Sequence, residues 1–424
     1  MAQVLNSILA LDLIALSYPI FAVLIALEWT LARRRGLTVY RFADSLTDLA
    51  CGVGSQALGL VLRLAALALY AFVYQFRWFT LPSDHVLTWL AIFLLVDLAF
   101  YWWHRFSHEM HFLWAAHVVH HQSEDFNLAV ALRQEALSAI THVPFHLPLA
   151  LFGFHPALLA THMAISLLYQ FGLHTELVRR LGPVELLLNT PMHHRVHHAI
   201  NPQYLDKNYG GILIVWDKLF GTYAPEVQPC VYGTVKPLAS WNSLWANLIV
   251  WQNMVQLSKK ATNFRDKLGV WLKSPAWTPP GLPPYPIHEV DRAQVVKYDT
   301  VVPRRLKVWL AAQFALTSGV LSLLRVATLP VQVLAGVLIL WSLLSLGGLL
   351  ENRPWALPWE RARLGVSMLA CALLAFLGLP WLILLPVALV SLVLLATLPL
   401  AITESAVLVQ EPLATDAKAT SPAG

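Results

Sequence analysis

The sequence predicts an all-α integral membrane protein, a multi-span helical bundle, and three observations carry that reading. The chain of 424 residues is 57% hydrophobic and only 12% charged, against about 25% charged in soluble domains. Its apolar residues come in separate long runs rather than in one core, and its mean hydropathy is +0.58. Its 17 tryptophans suit rings that sit at the membrane–water boundary.

Taken in order, residues 7–29 form a first span, since about 20 apolar residues cross about 30 Å of hydrocarbon. The N-terminus has no basic n-region and no small-residue cleavage site, so this span is expected to be retained. Arg33, Arg34 and Arg35 follow it and mark the cytoplasmic side. A second span covers 47–74, the loop QFRWFTLPSDH lies on the far side, and a third span, 85–103, returns. Residues 128–175 read as a helical hairpin, broken at Gly153–Pro156, that enters and leaves on one side. The stretch SPAWTPPGLPPYP reads as an extended, polyproline-like cover.

Four more apolar segments follow: 306–324, 329–350, 364–380 and 381–402. Arg304, Arg305, Arg353, Arg361 and Arg363 fall on the cytoplasmic side if each of these crosses. The polar, small-residue tail after 408 reads as disordered. The domains are therefore N-terminal helices (1–84), a histidine-bearing domain (85–225), a cytoplasmic Pro-rich segment (226–304), C-terminal transmembrane helices (305–408) and a tail (409–424).

The net charge of +5 does not argue for nucleic acid, because basic residues beside spans set orientation and meet anionic lipid. Cys51, Cys230 and Cys371 are far apart and form no CxxC, which excludes a disulfide framework or thiolate metal site.

Histidine is the residue out of proportion. His104 and His108 are spaced i, i+4; His117, His120 and His121 form H-x2-H-H, and His194, His197 and His198 form a second. Residues three and four apart share a helix face, so each group can aim its imidazoles at one point. His174 ends the second hairpin arm. One histidine in an apolar helix is most simply a hydrogen-bonded core residue; eight in three matched clusters on one side of the bundle point to metal. Eight or nine imidazoles exceed the four ligands of a tetrahedral site, so two metals are implied. Carboxylate-bridged bundle sites use Glu and Glu-x-x-His, whereas here only Glu109 lies inside a cluster. Redox-active iron in such a site can activate O2 against an inert C–H bond, which zinc cannot do.

Other residues read more plainly. His193 is out of register with H-x2-H-H and suits a supporting role, and His111 is a spare interfacial histidine. His142, His146, His155 and His162 belong to hydrogen bonds within the hairpin. Arg195 meets a lipid phosphate, a cofactor or a carboxylate. Asp206, Lys207 and Asn208 form a turn against the ligand helix, Tyr209-Gly210-Gly211 permits tight backbone passage, and Trp216-Asp217 anchors the fold at the membrane edge.

The clusters HRFSH, HVVHH and HRVHH resemble the fatty acid hydroxylase and sterol desaturase superfamily of membrane diiron oxygenases. The longer stretches WWHRFSHE, HHQSEDFNLAVALRQ, LLYQFGLHTEL and LNTPMHHRVHHAINPQYLDKNYGGILIVWDKLFGT are similar to its ether-lipid-cleaving branch, the alkylglycerol monooxygenases. The resemblance covers 85–225. It implies a cytoplasmic-side diiron site, two iron ions held by His104, His108, His117, His120, His121, His194, His197 and His198, with His174 as a further ligand. It implies a catalytic supporting role for Glu109, as an orienter of imidazole or a pterin contact, and tetrahydrobiopterin as reductant. Met192 stands where that branch has a small polar residue and Ala199 where it has glycine, so the cleft shape differs.

The activity implied is O2-dependent hydroxylation of a membrane lipid next to an ether oxygen, giving a hemiacetal that collapses to an aldehyde and a glycerol lipid. A sterol, carotenoid or fatty acyl hydroxylase or desaturase uses the same site and is the alternative. A non-enzymatic metal-binding protein or transporter is the reading from another class, and it expects ligands strung across the membrane depth.

Overall fold

The computed structural model describes residues 13–324 and 327–402. The first residues of the expected N-terminal span and the tail after 408 lie outside the described residues. The fold is helical, with only two isolated β-bridges among the described residues, Leu188 with Leu213 and Ala199 with Tyr232.

Helix α1 (Leu13–Arg34) ends on the predicted arginines. Next come α2 (Phe42–Tyr74) and α3 (Val86–Glu109). α2 is one long helix that bends by 48° between Phe42–Leu60 and Leu62–Tyr74. α3 runs six residues past the expected end of the third span, because Arg105 and Glu109 pair across one turn at 2.8 Å. That places His104 and His108 on the same continuous helix as the span. A short helix α4 (His111–His117) passes straight into a 3-10 turn (Val118–His121).

The hairpin is α5 (Ser138–Thr141), α6 (Val143–Phe152) and α7 (Pro156–Phe171). The break falls where it was expected. Gly153 has φ 128° there, and a Cβ at this position would collide with the carbonyl of Phe79. Trp78 N donates to Leu151 O at 2.9 Å, so the hairpin turn reaches the loop between α2 and α3 while His174 returns to the opposite end. The first arm starts at 138 rather than 128. Residues 128–137 are irregular because Arg133 is drawn inward, where it donates to Asp48, Gln122 and the carbonyl of Val119. Tyr70, Ile92, Val96, Phe154 and Leu158 form the core between α2, α3 and the hairpin.

Beyond α7, α8 (Pro191–His197) carries the second histidine motif and α9 (Val215–Phe220) braces it. The segment 226–304, expected as a Pro-rich segment, also contains a helical hairpin that was not expected, α10 (Ser243–Lys260) and α11 (Phe264–Leu272). Its two N-caps are visible in the sequence as Asn242 and Asn263, whose side chains accept from Leu244 N and Asp266 N. The Pro-rich stretch itself has no helix.

The C-terminal helices are α12 (Arg304–Leu323), α13 (Leu329–Leu350), α14 (Ala356–Phe376) and α15 (Trp381–Ile402). They pack on one another and on α2 through Trp309, Leu310, Leu346, Leu364 and Leu398. Five helices among the described residues are long and apolar enough to cross a membrane: α1, α3, α12, α13 and α15, with the bent α2 a sixth. α14, expected as a span over 364–380, is not among them. It begins at Ala356, and its first two turns carry Glu360, Arg361 and Arg363; Arg363 pairs with Glu360 inside the protein.

Candidate metal centre

Successive helical residues turn by about 100°, so i and i+4 lie about 40° apart while i+3 lies about 60° to the other side. The two H-x2-H-H motifs therefore split, while His104 and His108 stay together. His104, His108, His117, His121 and His197 form one group; His120, His174, His194 and His198 form the other. Within each group the candidate ligand nitrogens lie within 4.8 Å of one another, and every ring is buried. The i, i+4 pairs each serve one group, while His120 and His197 cross to the opposite one. All nine histidines singled out in the sequence are thus brought together. Neither group contains a carboxylate or a cysteine.

The outward nitrogens are tied to the backbone. The Nδ1–H of His104 donates to Tyr209 O at 2.8 Å, that of His120 to Arg133 O at 3.0 Å, that of His174 to Gln170 O at 2.9 Å and that of His197 to Lys207 O at 3.0 Å. A carbonyl can only accept, so these contacts fix the tautomer and leave Nε2 with a lone pair aimed inward. His117 Nδ1 instead lies 3.5 Å from the buried carboxylate of Glu135. Burial pushes His120 down to about 4 and His197 to about 3, and holds His121, His194 and His198 well below the ordinary imidazole value. These five rings are neutral near pH 7, as metal ligation requires.

The inner nitrogens fit a metal. His120 and His174 both donate through Nδ1, yet their Nε2 atoms stand 3.1 Å apart. Two lone pairs at that separation repel unless a cation lies between them. Other Nε2–Nε2 separations are 3.1 Å for His104–His117, 3.2 Å for His117–His121, 3.0 Å for His174–His194 and 3.1 Å for His194–His198. With metal–nitrogen bonds of about 2.1 Å, neighbouring ligands stand about 3.0 Å apart in an octahedron and about 3.4 Å apart in a tetrahedron. The separations are those of imidazoles that would share a metal, held by five rings in one group and four in the other. The Nε2 atoms of His108 and His197 are buried and have no hydrogen-bond partner.

The supporting turn is held by two carboxylates, one far away in sequence and one near. Asp97 of α3 accepts from Ile212 N at 2.7 Å, Leu213 N at 3.0 Å and Trp216 Nε1 at 2.9 Å. Asp217 accepts from Tyr209 N and Gly210 N, both at 2.7 Å. Trp216-Asp217 is therefore an internal brace. Asp206 and Asn208 both adopt φ 58°, and Asn208 donates to His193 O at 3.1 Å, so the expected turn does grip the ligand helix. A Cβ on Gly211 would come within 2.9 Å of the Asp97 carboxylate and the Phe100 ring, which explains the need for glycine there.

Glu109 does not orient an imidazole in this structure; its carboxylate accepts from Arg105 Nε at 2.8 Å. The carboxylate beside a ligand is Glu135, one residue past the quoted HHQSEDFNLAVALRQ motif, and sequence reasoning missed it. His193 lies outside both groups, 3.4 Å from Thr190 Oγ1. Arg195 takes the carboxylate partner, Glu226, at 2.8 Å. His146 and His162 donate within the hairpin to His142 O and Leu158 O. His155 caps α7, whereas His142 stacks on Trp103 at 3.6 Å.

Both groups open on one cavity of about 360 Å³ between α2, α3 and the hairpin. His104, His117, His120, His174 and His194 stand at one end, Gln134, Glu135, Ser138 and His142 line its middle, and Leu159 and Met163 are on its apolar wall. Leu67 and Leu167 at its border are also exposed on the surface of the spanning bundle. The cavity can thus take an apolar chain from the side and deliver one carbon to the imidazoles.

The fatty acid hydroxylase family profile matches residues 89–222, the segment that carries α3 through α9 and all nine histidines. The chain is 38% identical to an alkylglycerol monooxygenase of Danio rerio over 334 residues, covering 77% of this chain and 74% of that protein. It is 37% identical to an alkylglycerol monooxygenase of Homo sapiens over 367 residues, covering 83% and 81%. Over 137 residues it is 27% identical to an ornithine lipid hydroxylase of Rhizobium tropici, covering 32% and 41%. No solved structure matches.

Proposed function

The chain belongs to the alkylglycerol monooxygenase family of fatty acid hydroxylase-type proteins, and from that premise we propose that it is a membrane monooxygenase cleaving the ether bond of alkylglycerol lipids. The observation that carries this reading is the pairing of two all-imidazole groups with one cavity reached from the lipid side. Two iron ions bound by His104, His108, His117, His121 and His197, and by His120, His174, His194 and His198, would supply the O2 activation that C–H hydroxylation needs.

The chain's own residues do the rest. Backbone carbonyls hold four ligand rings by Nδ1, so Nε2 cannot rotate away. Leu159, Met163 and Leu167 line the route for the alkyl chain and exclude water. Gln134 and Ser138 offer hydrogen bonds to the glycerol hydroxyls at the point where the ether carbon reaches the imidazoles. Overall, one oxygen atom of O2 enters the C–H bond and the other leaves as water, with two electrons and two protons from an external donor. Reduced tetrahydrobiopterin is the donor we propose. The hydroxylated carbon then bears two oxygens, and its C–O bond to glycerol breaks to give an aldehyde and a free glycerol hydroxyl. Glu109, exposed at the end of α3 and paired with Arg105, stands where a donor can approach, and we assign it a supporting role there. We assign this end of the bundle to the cytoplasm, a reading supported by the arginines beside the spans.

The nine rings gather in two adjoining groups at one cavity rather than being strung along the spanning helices, which favours an enzyme over a transporter. The test is turnover of an alkylglycerol by purified protein with O2 and reduced pterin, alongside metal analysis of the same sample. Iron near two per chain and fatty aldehyde formed without a protein electron donor are expected. Dependence on a redox protein, with indifference to pterin, overturns the donor; hydroxylation of acyl or sterol carbons alone overturns the substrate. Orientation is checked by cysteine labels at Arg34, Lys207 and Arg353, expected on one face, with Ser83 on the other.

A further inference from the structure

The hairpin α10–α11 takes no part in the metal centre and crosses nothing, yet it carries an apolar stripe with no cover. Phe264, Leu268 and Leu272 are 79%, 46% and 49% exposed. Their spacing of four keeps them within about 80° of the α11 circumference. Arg265 and Lys267 flank the stripe on either side, and Lys259 and Lys260 precede it at the end of α10; all four are exposed. The lone carboxylate nearby, Asp266, is engaged by Asn263 at 2.7 Å. On the opposite face Val270 packs with Ala115 of α4 and Met254 of α10, and Gly269 lies against the Trp277 ring. α11 is therefore firmly seated, and the stripe is its outward face by construction.

The position of this helix is also fixed. Lys273, one residue after α11, accepts through its carbonyl from His111 N at 2.9 Å. His111 lies two residues beyond Glu109, the last residue of the spanning helix α3. The C-terminal end of the stripe is thus tied to the end of α3. An apolar face flanked by cations beside the end of a spanning helix is the form of a helix lying in the interface.

We infer that the α10–α11 hairpin lies on the bilayer, with Phe264, Leu268 and Leu272 sunk below the headgroups and its basic residues on anionic lipid phosphates. The anchor holds α4, and so His117, against the membrane that supplies the substrate.

The experiment places a nitroxide on Leu268→Cys in the full protein, in vesicles of phosphatidylcholine with or without phosphatidylglycerol. The three native cysteines are buried, so the label is selective. Oxygen should collide with the label several-fold more often than a water-soluble nickel chelate, and immersion should increase with phosphatidylglycerol. A label on Glu289→Cys, in the exposed Pro-rich segment, should show the reverse preference. Lys260→Glu with Lys267→Glu should lower the immersed fraction in anionic vesicles about fivefold per charge, equivalent to about 1 kcal/mol each. Equal nickel access at positions 268 and 289 overturns the inference. Immersion indifferent to lipid charge overturns the headgroup assignment, and protection that appears only on adding a soluble acidic protein assigns the face to a protein partner instead. These readouts do not require turnover, so they stand apart from the ether-cleaving activity.

Discussion

The histidine region, α3 to α9, and the C-terminal bundle, α12 to α15, are both helical and both pack on α2, but they are specified by different means. In the first, ligand rings, turns and loops are tied by directional bonds: four imidazoles to four carbonyls, Asp97 and Asp217 to five N–H groups between them, and Arg133 to three acceptors. In the second, helices meet through Leu, Trp and Ala. Gln313, Thr317 and Ser342 form one small polar contact, in which Gln313 Nε2 donates to Ser342 Oγ at 2.6 Å. Half of the apolar window of α13 is buried inside the protein but only 17% of that of α15. A site that must hold donors at fixed separations needs polar bonds with one geometry. A bundle in lipid needs only shape, since lipid tails are as apolar as the helices.

The sharpest way to break this contrast is to remove a ring that crosses between groups. His120→Ala and His197→Ala should abolish turnover and lower bound metal in both centres, as should His194→Ala and His198→Ala, measured as metal per chain beside activity. All should still insert in the membrane. Next come the carboxylates of the supporting turn. Asp97→Asn and Asp217→Asn loosen the turn that supports His104 and His197, and each should cost 10–100-fold in metal affinity or activity. Equal activity to the parent would show that the turn is held by packing alone. Glu135→Gln keeps shape and one acceptor, so its loss should fall at the lower end of that range. His193→Ala should keep its metal, being outside both groups. The smallest effect is expected in the other region: Gln313→Leu should change stability by about 0.6 kcal/mol and leave turnover unchanged. A large loss there would mean that the C-terminal helices set the site's geometry.

The sequence exposed the ligands because motif spacing is local. Nine histidines at helical intervals declare themselves without a fold, and arginine-flanked apolar runs place the spans. The 5:4 division was less legible, since it depends on how α4 and its 3-10 turn rotate against α8. Glu135 and Asp97 were missed because single carboxylates carry no spacing signal; Asp97 meets Ile212 across 115 positions. Asp217 stands out in the sequence as an anchor, but its bonds to Tyr209 N and Gly210 N are not foreseen there. α10 and α11 were hidden for a third reason. Their exposed apolar stripe and basic flanks resemble neither a span nor a soluble helix, and the neighbouring prolines drew the eye to an extended chain. α14 differs from the expected 364–380 because the helix begins at Ala356 and takes in Glu360, Arg361 and Arg363, of which the two arginines are expected in a loop.

The crossing of His120 and His197 has a last consequence, and it concerns loading. The two H-x2-H-H motifs each donate to both centres, so neither centre can close without setting the backbone that presents ligands to its neighbour. Occupying one fixes rotamers and a helical turn that the other would otherwise have to order, and by linkage the second ion binds more tightly than the first. Uptake should therefore be cooperative, with half-filled chains scarce at every metal concentration. A titration followed by native mass spectrometry should pass from empty to doubly occupied protein, and loss of either crossing ring should uncouple the two steps.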